Sequence, residues 1–93
     1  MLALRVELRL VASTSLKDKR QVVRSLLDRA RHRFGVSVAE VESADDHRNA
    51  VLGFTVVAST AHHAEEVVDS VERLVWSRPD VEVVSCERTW LET

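Results

Sequence analysis

The stretch LALRVELRLVASTSLKDKRQVVRSLLDRARHRFG, residues 2–35, changes its hydrophobic period once, and this change decides the fold. In its first nine residues, leucine or valine alternates with alanine, arginine or glutamate, which is the period of a β-strand with one buried and one solvated face. Ser15 is suited to cap a helix by accepting from the Asp18 amide, and the Asp18 side chain can reach back toward Ser15. After Ser15 the apolar residues recur at spacings of three, four and seven, which is the period of an amphipathic helix. Gly35 is typical of the left-handed residue that ends a helix. The chain therefore opens with a strand followed by a helix.

Two β-rich runs follow this helix. Val36–Glu42 is short and β-branched, and Ala50–Ser59 is longer and contains Gly53. The polar loop 43–49 between them predicts a hairpin of two antiparallel strands. A glycine inside a strand marks a bulge or close packing more often than a ligand site, so we expect a structural role for Gly53.

A second amphipathic helix is predicted after the hairpin. Ser59 or Thr60 is suited to cap it, and Glu65 and Glu66 lie near its positive end, where carboxylates are stabilising. Apolar residues then recur with a helical period. Pro79 ends the helix, because the residue before a proline is disfavoured in the helical conformation.

The last predicted element is a strand over Val81–Leu91, in which a change of phase between Val83 and Val84 indicates a β-bulge. The complete order is then β-α-β-β-α-β. Two strand–helix–strand units joined by a hairpin are best satisfied by a four-stranded antiparallel sheet with both helices on one face. The sequence therefore predicts an α+β fold, a ferredoxin-like sandwich, and a single domain over residues 1–93.

Composition limits the kinds of protein to consider. Cys86 is the one cysteine, so neither an internal disulfide nor a cysteine-based zinc site can form, and a reducing compartment is expected. Charged residues interrupt the apolar amino terminus, and the best uncharged stretch, 49–61, is too short and too polar to span a bilayer. We therefore expect a cytoplasmic protein with no membrane partner. We expect neither metal nor cofactor, since His62 and His63 are adjacent and point about 100° apart on a helix.

Charge is distributed unevenly along the chain. Residues 1–34 carry nine Lys or Arg against three Asp or Glu, a net +6, whereas residues 35–93 carry four against twelve, a net −8. The overall charge of −2 therefore conceals one basic and one acidic region. A basic region of this kind is suited to an anionic partner such as nucleic acid.

The basic residues are concentrated on the first helix. At about 100° per residue, Lys17, Arg20, Arg24 and Arg31 fall within an arc of roughly 60°. Cations in the first turn oppose the helix dipole, and such a violation of local preference marks function more often than average. We therefore expect this helix to contact phosphate, with RNA as the ligand. The predicted contacts are Ser15, Lys17, Lys19, Arg20, Arg24 and Arg31.

Two other interpretations of the surface stay open. In the first, the cations of the helix are simply solvated and pair with carboxylates of the second helix. In the second, the open face of the sheet binds another protein surface, because it carries valine and threonine beside paired arginine and glutamate and lacks an aromatic ring on which RNA bases could stack. That interface would use Val51, Thr55, Val57 and Trp90, and Trp90 is either a lid on the core or an anchor for a partner.

Four segments of the chain carry a resemblance to a known family. They are SLKDKR (15–20), VVRSLLDRARHRFGVSVAEV (22–41), RPDVEVV (78–84) and ERTWL (87–91). With them the chain resembles the YlxP-like family of small uncharacterised bacterial proteins over nearly its whole length. The resemblance implies a ferredoxin-like domain. Members are often encoded beside a translation initiation factor and a ribosome-binding factor, which implies a role near the ribosome, but the family supplies no catalytic residue.

Enzymatic activity is not predicted. Acylphosphatases share this topology and approximate length, but their phosphate loop needs glycines and an arginine, whereas residues 12–15 read Ala-Ser-Thr-Ser. We predict a non-enzymatic accessory protein that works near the ribosome and contacts RNA or a ribosomal partner through the basic first helix. The alternative is a homodimeric protein-interaction module that uses the open sheet face.

Overall fold

Six secondary-structure elements alternate along the chain in the predicted order. The computed structural model describes residues 1–91, and its elements are β1 (Leu2–Leu10), α1 (Leu16–Phe34), β2 (Ser37–Glu42), β3 (Asn49–Val56), α2 (Ala61–Trp76) and β4 (Val81–Trp90). The strands form one sheet in the order β2-β3-β1-β4, and each neighbouring pair is antiparallel. Both helices cover the same face of this sheet. The predicted ferredoxin-like fold is confirmed.

The side chains of β1 that point toward the helices form the centre of the core. Leu2, Leu4, Val6 and Leu8 are each at most 1% exposed, which confirms the alternation that the sequence predicts. Burying one such side chain stabilises the fold by about 1.5–3 kcal/mol. The helices cover β1 with the apolar stripes Val23, Leu26 and Ala30 of α1 and Ala64, Val68, Val71 and Val75 of α2.

The predicted bulge in β4 is confirmed. Val83 lies opposite Leu8 and Ser85 lies opposite Glu7, so Val84 is an extra residue with no partner on β1. The insertion explains the change of phase in the sequence, because a bulge shifts by one residue which side chains face the core.

A second bulge, which the sequence analysis did not predict, lies in β2. Glu40 is opposite Leu52 and Glu42 is opposite Val51, so Val41 is the extra residue. Its side chain leans over Gly53, where a Cβ atom would lie 3.0 Å from Val41 Cγ1. The structural role expected for Gly53 is therefore close packing against the neighbouring strand.

Side-chain oxygens cap the amino termini of both helices. The Ser15 hydroxyl accepts a hydrogen bond from the Asp18 amide at 3.1 Å, as predicted. The Asp18 carboxylate reaches back one residue further than expected and accepts from the amide and hydroxyl of Thr14, at 3.2 and 2.9 Å. These hydrogen bonds from Thr14 lower the pKa of Asp18. In α2, Thr60 is the capping residue and accepts from the amide of His63.

Gly35 ends α1 in the left-handed conformation, with φ of 66°, and its amide donates to the Arg31 carbonyl at 3.0 Å. A Cβ atom at this position would meet nothing within 4 Å, so a side chain here costs backbone strain alone. We expect Gly35→Ala to lower the free energy of unfolding by about 1 kcal/mol. Gly35→Asn should cost less, since asparagine tolerates this conformation. Urea denaturation checks both values, and equal stability of the alanine variant and the native chain would contradict the assignment.

Candidate functional site

Four basic side chains of α1 share one exposed surface. Lys17, Arg20, Arg24 and Arg31 are all exposed and lie within the 60° arc that the sequence predicts. Within residues 1–91, no carboxylate pairs with Lys17, Arg20 or Arg24. Arg31 is partly neutralised, since its Nη2 lies 3.2 Å from Asp28 Oδ1. We call these four side chains the basic face.

The prediction that Lys19 belongs to this surface is wrong. Its side chain is 1% exposed and points into the protein, between α1 and the β2–β3 hairpin. A buried ammonium is tolerated only where its donors find partners. Lys19 Nζ donates to the carbonyls of Ser43 and Asp46, the second at 2.7 Å, and lies 2.8 Å from Glu40 Oε2. Because this ammonium is buried and engaged by these three groups, it is not accessible to a phosphate.

The position of Lys19 could have been recognised from spacing. It precedes Val23 by four residues and Leu26 by seven, which places it in the middle of the buried stripe. Its type, rather than its position, suggested exposure, because lysine is almost never fully buried unless paired. The acids and carbonyls that pair with it are more than twenty residues away in the sequence, and only the fold brings them together.

Lys19 fixes the loop between β2 and β3. Ser43, whose carbonyl accepts from Lys19, has a positive φ of 64°. The Asp46 carboxylate accepts from the Asn49 side chain and the Arg48 amide, both at 2.8 Å, and these bonds lower the pKa of Asp46. The Lys19 ammonium therefore binds the loop from the core side, and the Asp46 carboxylate stabilises it by hydrogen bonds within the loop.

Ser15 also lies outside the basic face. Its hydroxyl oxygen is engaged as the N-cap of α1, at 3.1 Å from the Asp18 amide. Of the six residues predicted to contact phosphate, the structure brings together Lys17, Arg20, Arg24 and Arg31 and separates Ser15 and Lys19 from them.

The carboxylates of α2 do not neutralise the basic face. Arg88 of β4 binds two of them, with Nη2 at 2.6 Å from Asp69 Oδ1 and Nε at 3.2 Å from Glu72 Oε1. Glu66 lies 3.1 Å from His62 on the same helix. The interpretation that these acids pair with α1 is therefore not met in the part of the chain that the structure describes.

A shallow depression of about 480 Å³ runs along the basic face. Its lining is polar as well as cationic: Lys17, Arg20, Gln21, Arg24, Ser25 and Asp28. Gln21 is exposed, and its carboxamide has no hydrogen-bond partner within residues 1–91. The sequence analysis missed Gln21, although its spacing of four from Lys17 and three from Arg24 places it on the same side of the helix.

The open face of the sheet is covered in part by an ion pair of its own. The Arg5 guanidinium on β1 reaches across β3 and binds the Glu42 carboxylate on β2. Val51 lies opposite Glu42 and is only 4% exposed, although it is on the outward side of β3. The prediction of Val51 as an accessible interface residue is therefore wrong, because almost none of its surface is exposed between its partners Glu7 and Glu42.

The other predicted interface residues do not share one surface. Thr55 lies on the open face, half-buried, opposite Ala3. Val57 is 79% exposed but lies beyond the end of β3. Trp90 is 50% exposed and pairs with Leu2, whose side chain is in the core, so Trp90 lies on the helix side of the sheet. Trp90 cannot join an interface on the opposite face.

Neither a metal cluster nor a membrane-spanning helix is present in residues 1–91. No three His, Cys, Asp or Glu side chains cluster there in a way that could hold a metal ion. None of the helices is both long enough and apolar enough to cross a membrane.

The topology and the basic face together define a small ferredoxin-like domain with a cationic helix surface. The chain belongs to the family described as a protein of unknown function (DUF503), whose model matches residues 1–88. It is 29% identical over 76 residues to the uncharacterized protein YlxP of Bacillus subtilis (strain 168). The aligned residues cover 82% of this chain and 83% of the Bacillus protein. The predicted YlxP-like membership is confirmed. Among solved structures, a de novo designed protein with ferredoxin fold is similar, with a TM-score of 0.46 and 16% identity over 96% of this chain and 84% of the designed one.

We expect Lys19→Met to lower the free energy of unfolding by about 3 kcal/mol, because it leaves the Glu40 carboxylate and two part-buried loop carbonyls without their partner. Arg20→Met, one residue along the same helix but exposed, is the matched control and should change stability by less than about 0.5 kcal/mol. Urea denaturation measures both. Equal stabilities of the two variants would show that the ammonium does not hold the loop.

Proposed function

We propose that this protein is a non-enzymatic accessory factor that binds RNA through the phosphates of its backbone, near the ribosome, by the basic face of α1. The observation that carries the proposal is the absence of carboxylate partners for three neighbouring cations, Lys17, Arg20 and Arg24, within residues 1–91. When unpaired cations on one surface bind phosphates, the counterions condensed on the nucleic acid are released. This release is the main source of electrostatic affinity for nucleic acid.

The positions of these cations favour recognition over stability. Lys17 lies in the first turn of α1, at the positive end of the helix dipole, where a cation costs about 0.3–1 kcal/mol, and Arg20 follows directly after that turn. Asp18 is the one carboxylate in that turn. A second source of support is the gene neighbourhood of the YlxP-like family, which makes ribosomal RNA the first ligand to test.

Non-enzymatic action is supported by the chemistry of the depression. Its lining contains no histidine or cysteine, and its one serine, Ser25, accepts a hydrogen bond from Arg78 Nη1 at 3.2 Å. Cys86 lies elsewhere, on β4, where burial raises the pKa of its thiol and keeps it protonated. These groups offer no activated nucleophile at the basic face.

The test is binding of purified ribosomal RNA at low salt, measured by filter retention across a salt titration. The native chain should show a slope of log affinity against log salt of roughly −2 to −3, as expected for three phosphate contacts. Arg20→Glu combined with Arg24→Glu should weaken binding at least about tenfold and reduce the slope by about 2. Unchanged binding by this variant would remove the basic face from consideration.

A matched control keeps the same total charge. Arg9→Glu combined with Arg29→Glu reverses two exposed cations outside the basic face, one on β1 and one on the far side of α1. If recognition is local, this variant binds RNA within about threefold of the native chain. An equal loss in both double variants would indicate attraction by net charge alone.

Self-association through the open sheet face is the alternative proposal. Val41 is 51% exposed and packs over Gly53 on that face. This exposed apolar side chain favours an apolar contact with a second copy of the chain. The alternative predicts a dimer in sedimentation velocity that is insensitive to salt, because an apolar interface is not screened. Thr55→Arg, on that face near the end of β3, should dissociate such a dimer, and Arg24→Glu should not. A monomer at all concentrations would exclude this alternative.

A further inference from the structure

One line of the α1 surface alternates cations with neutral or acceptor side chains. Lys17, Arg24 and Arg31 are seven residues apart, and Gln21 and Asp28 lie between them. At about 100° per residue these five side chains fall within roughly 80° of one another, and each step of seven advances about 10.5 Å along the axis. We call this line the 17–31 stripe.

The groups between the cations are able to bind a hydroxyl. Gln21 is exposed and offers both a donor and an acceptor. Asp28 uses Oδ1 to accept from Arg31, and its Oδ2 has no partner within residues 1–91. A carboxylate in the middle of the stripe repels phosphate but accepts readily from a hydroxyl. A site for phosphate alone would not place a carboxylate there.

We infer that the 17–31 stripe binds the sugar–phosphate backbone of double-stranded RNA, with Gln21 contacting ribose 2′-hydroxyls between phosphates held by Lys17 and Arg24. The inference rests on the proposed function and adds the class of nucleic acid. A ribose 2′-hydroxyl is donor and acceptor at once, as the Gln21 carboxamide is, and it distinguishes RNA from DNA. The alternation of the stripe matches a polymer in which sugars and phosphates alternate.

The shape of the surface favours a duplex over a single strand. Proteins that bind single strands use a basic groove together with aromatic rings on which bases stack. The lining of the depression on the basic face contains no aromatic residue. Phe34, at the end of the same helix, is half-buried, and the Arg33 guanidinium lies 5.4 Å from its ring centre. A-form RNA instead presents 2′-hydroxyls in a wide, shallow minor groove flanked by phosphates, which an exposed helix can approach.

The experiment compares three probes of one sequence: an RNA duplex of about 20 base pairs, the matching DNA duplex and the single RNA strand. Fluorescence anisotropy at low salt gives the affinity of each for the native chain and for Gln21→Leu, which keeps the volume and removes the hydrogen bonds. The native chain should prefer the RNA duplex to the DNA duplex by about two- to tenfold for each 2′-hydroxyl contact. Gln21→Leu should bring that ratio close to one and leave DNA affinity unchanged.

The outcomes separate this inference from the proposed function. Tighter binding of the single strand, equal affinity for the two duplexes, or an RNA-to-DNA ratio that Gln21→Leu does not alter would each overturn the inference, while the phosphate proposal would stand. Absence of binding to all three probes would overturn both. Arg20→Glu with Arg24→Glu is the reference for lost phosphate contact and should weaken all three probes together.

Discussion

The burial of the Lys19 ammonium fixes the rotation of α1 about its own axis, and the character of the surface depends on that rotation. Lys19 is held by two carbonyls of the β2–β3 loop and by Glu40, so its side of the helix must face the sheet. The apolar residues Val23 and Leu26 face the same way. The opposite side, which carries Lys17 and Arg24, is then obliged to face solvent. A rotation by one residue, about 100°, would carry Lys19 to the position of Asp18 or Arg20 and leave Glu40 and the two loop carbonyls without their ammonium partner.

Carboxylate pairing divides the cations of the protein into two groups. On the strands and turns, Arg5 pairs with Glu42, Arg78 with Asp80 at 2.7 Å, and Arg88 with acids of α2. The hydrogen bond from Arg78 lowers the pKa of Asp80, as expected for a pair that favours the charged carboxylate. These pairs use acids from the second, acidic part of the chain. The basic face lies on the other helix and receives none of them within residues 1–91, so the charge asymmetry of the sequence survives folding as an asymmetry of the surface.

The sequence was sufficient for the architecture because its signals are local. Four of these signals depend only on neighbouring residues, and the structure confirms each of them. They are the alternation of β1, the Ser15 cap, the Gly35 stop and the phase change at Val84. The errors concern contacts between distant segments. Lys19 finds its partners more than twenty residues away, and Val51 is flanked by Glu7 of β1 and Glu42 of β2. The bulge at Val41 was missed for the same reason, because the Val41 side chain packs over Gly53 on the neighbouring strand.

The helix dipole acts differently on the cations at the two ends of α1. Arg31 and Arg33 lie in the last turn, where the helix dipole favours cations, so their placement carries no electrostatic cost. Lys17 and Arg20 lie at the other end, where the same dipole disfavours them, and neither gains an ion pair in the described part of the chain. No intramolecular ion pair therefore repays their placement. The depression that contains Gln21 lies over this amino-terminal half of the helix, so the electrostatic cost and the unused hydrogen-bonding groups coincide. An external anion that also carries hydroxyl groups would offset the first and satisfy the second.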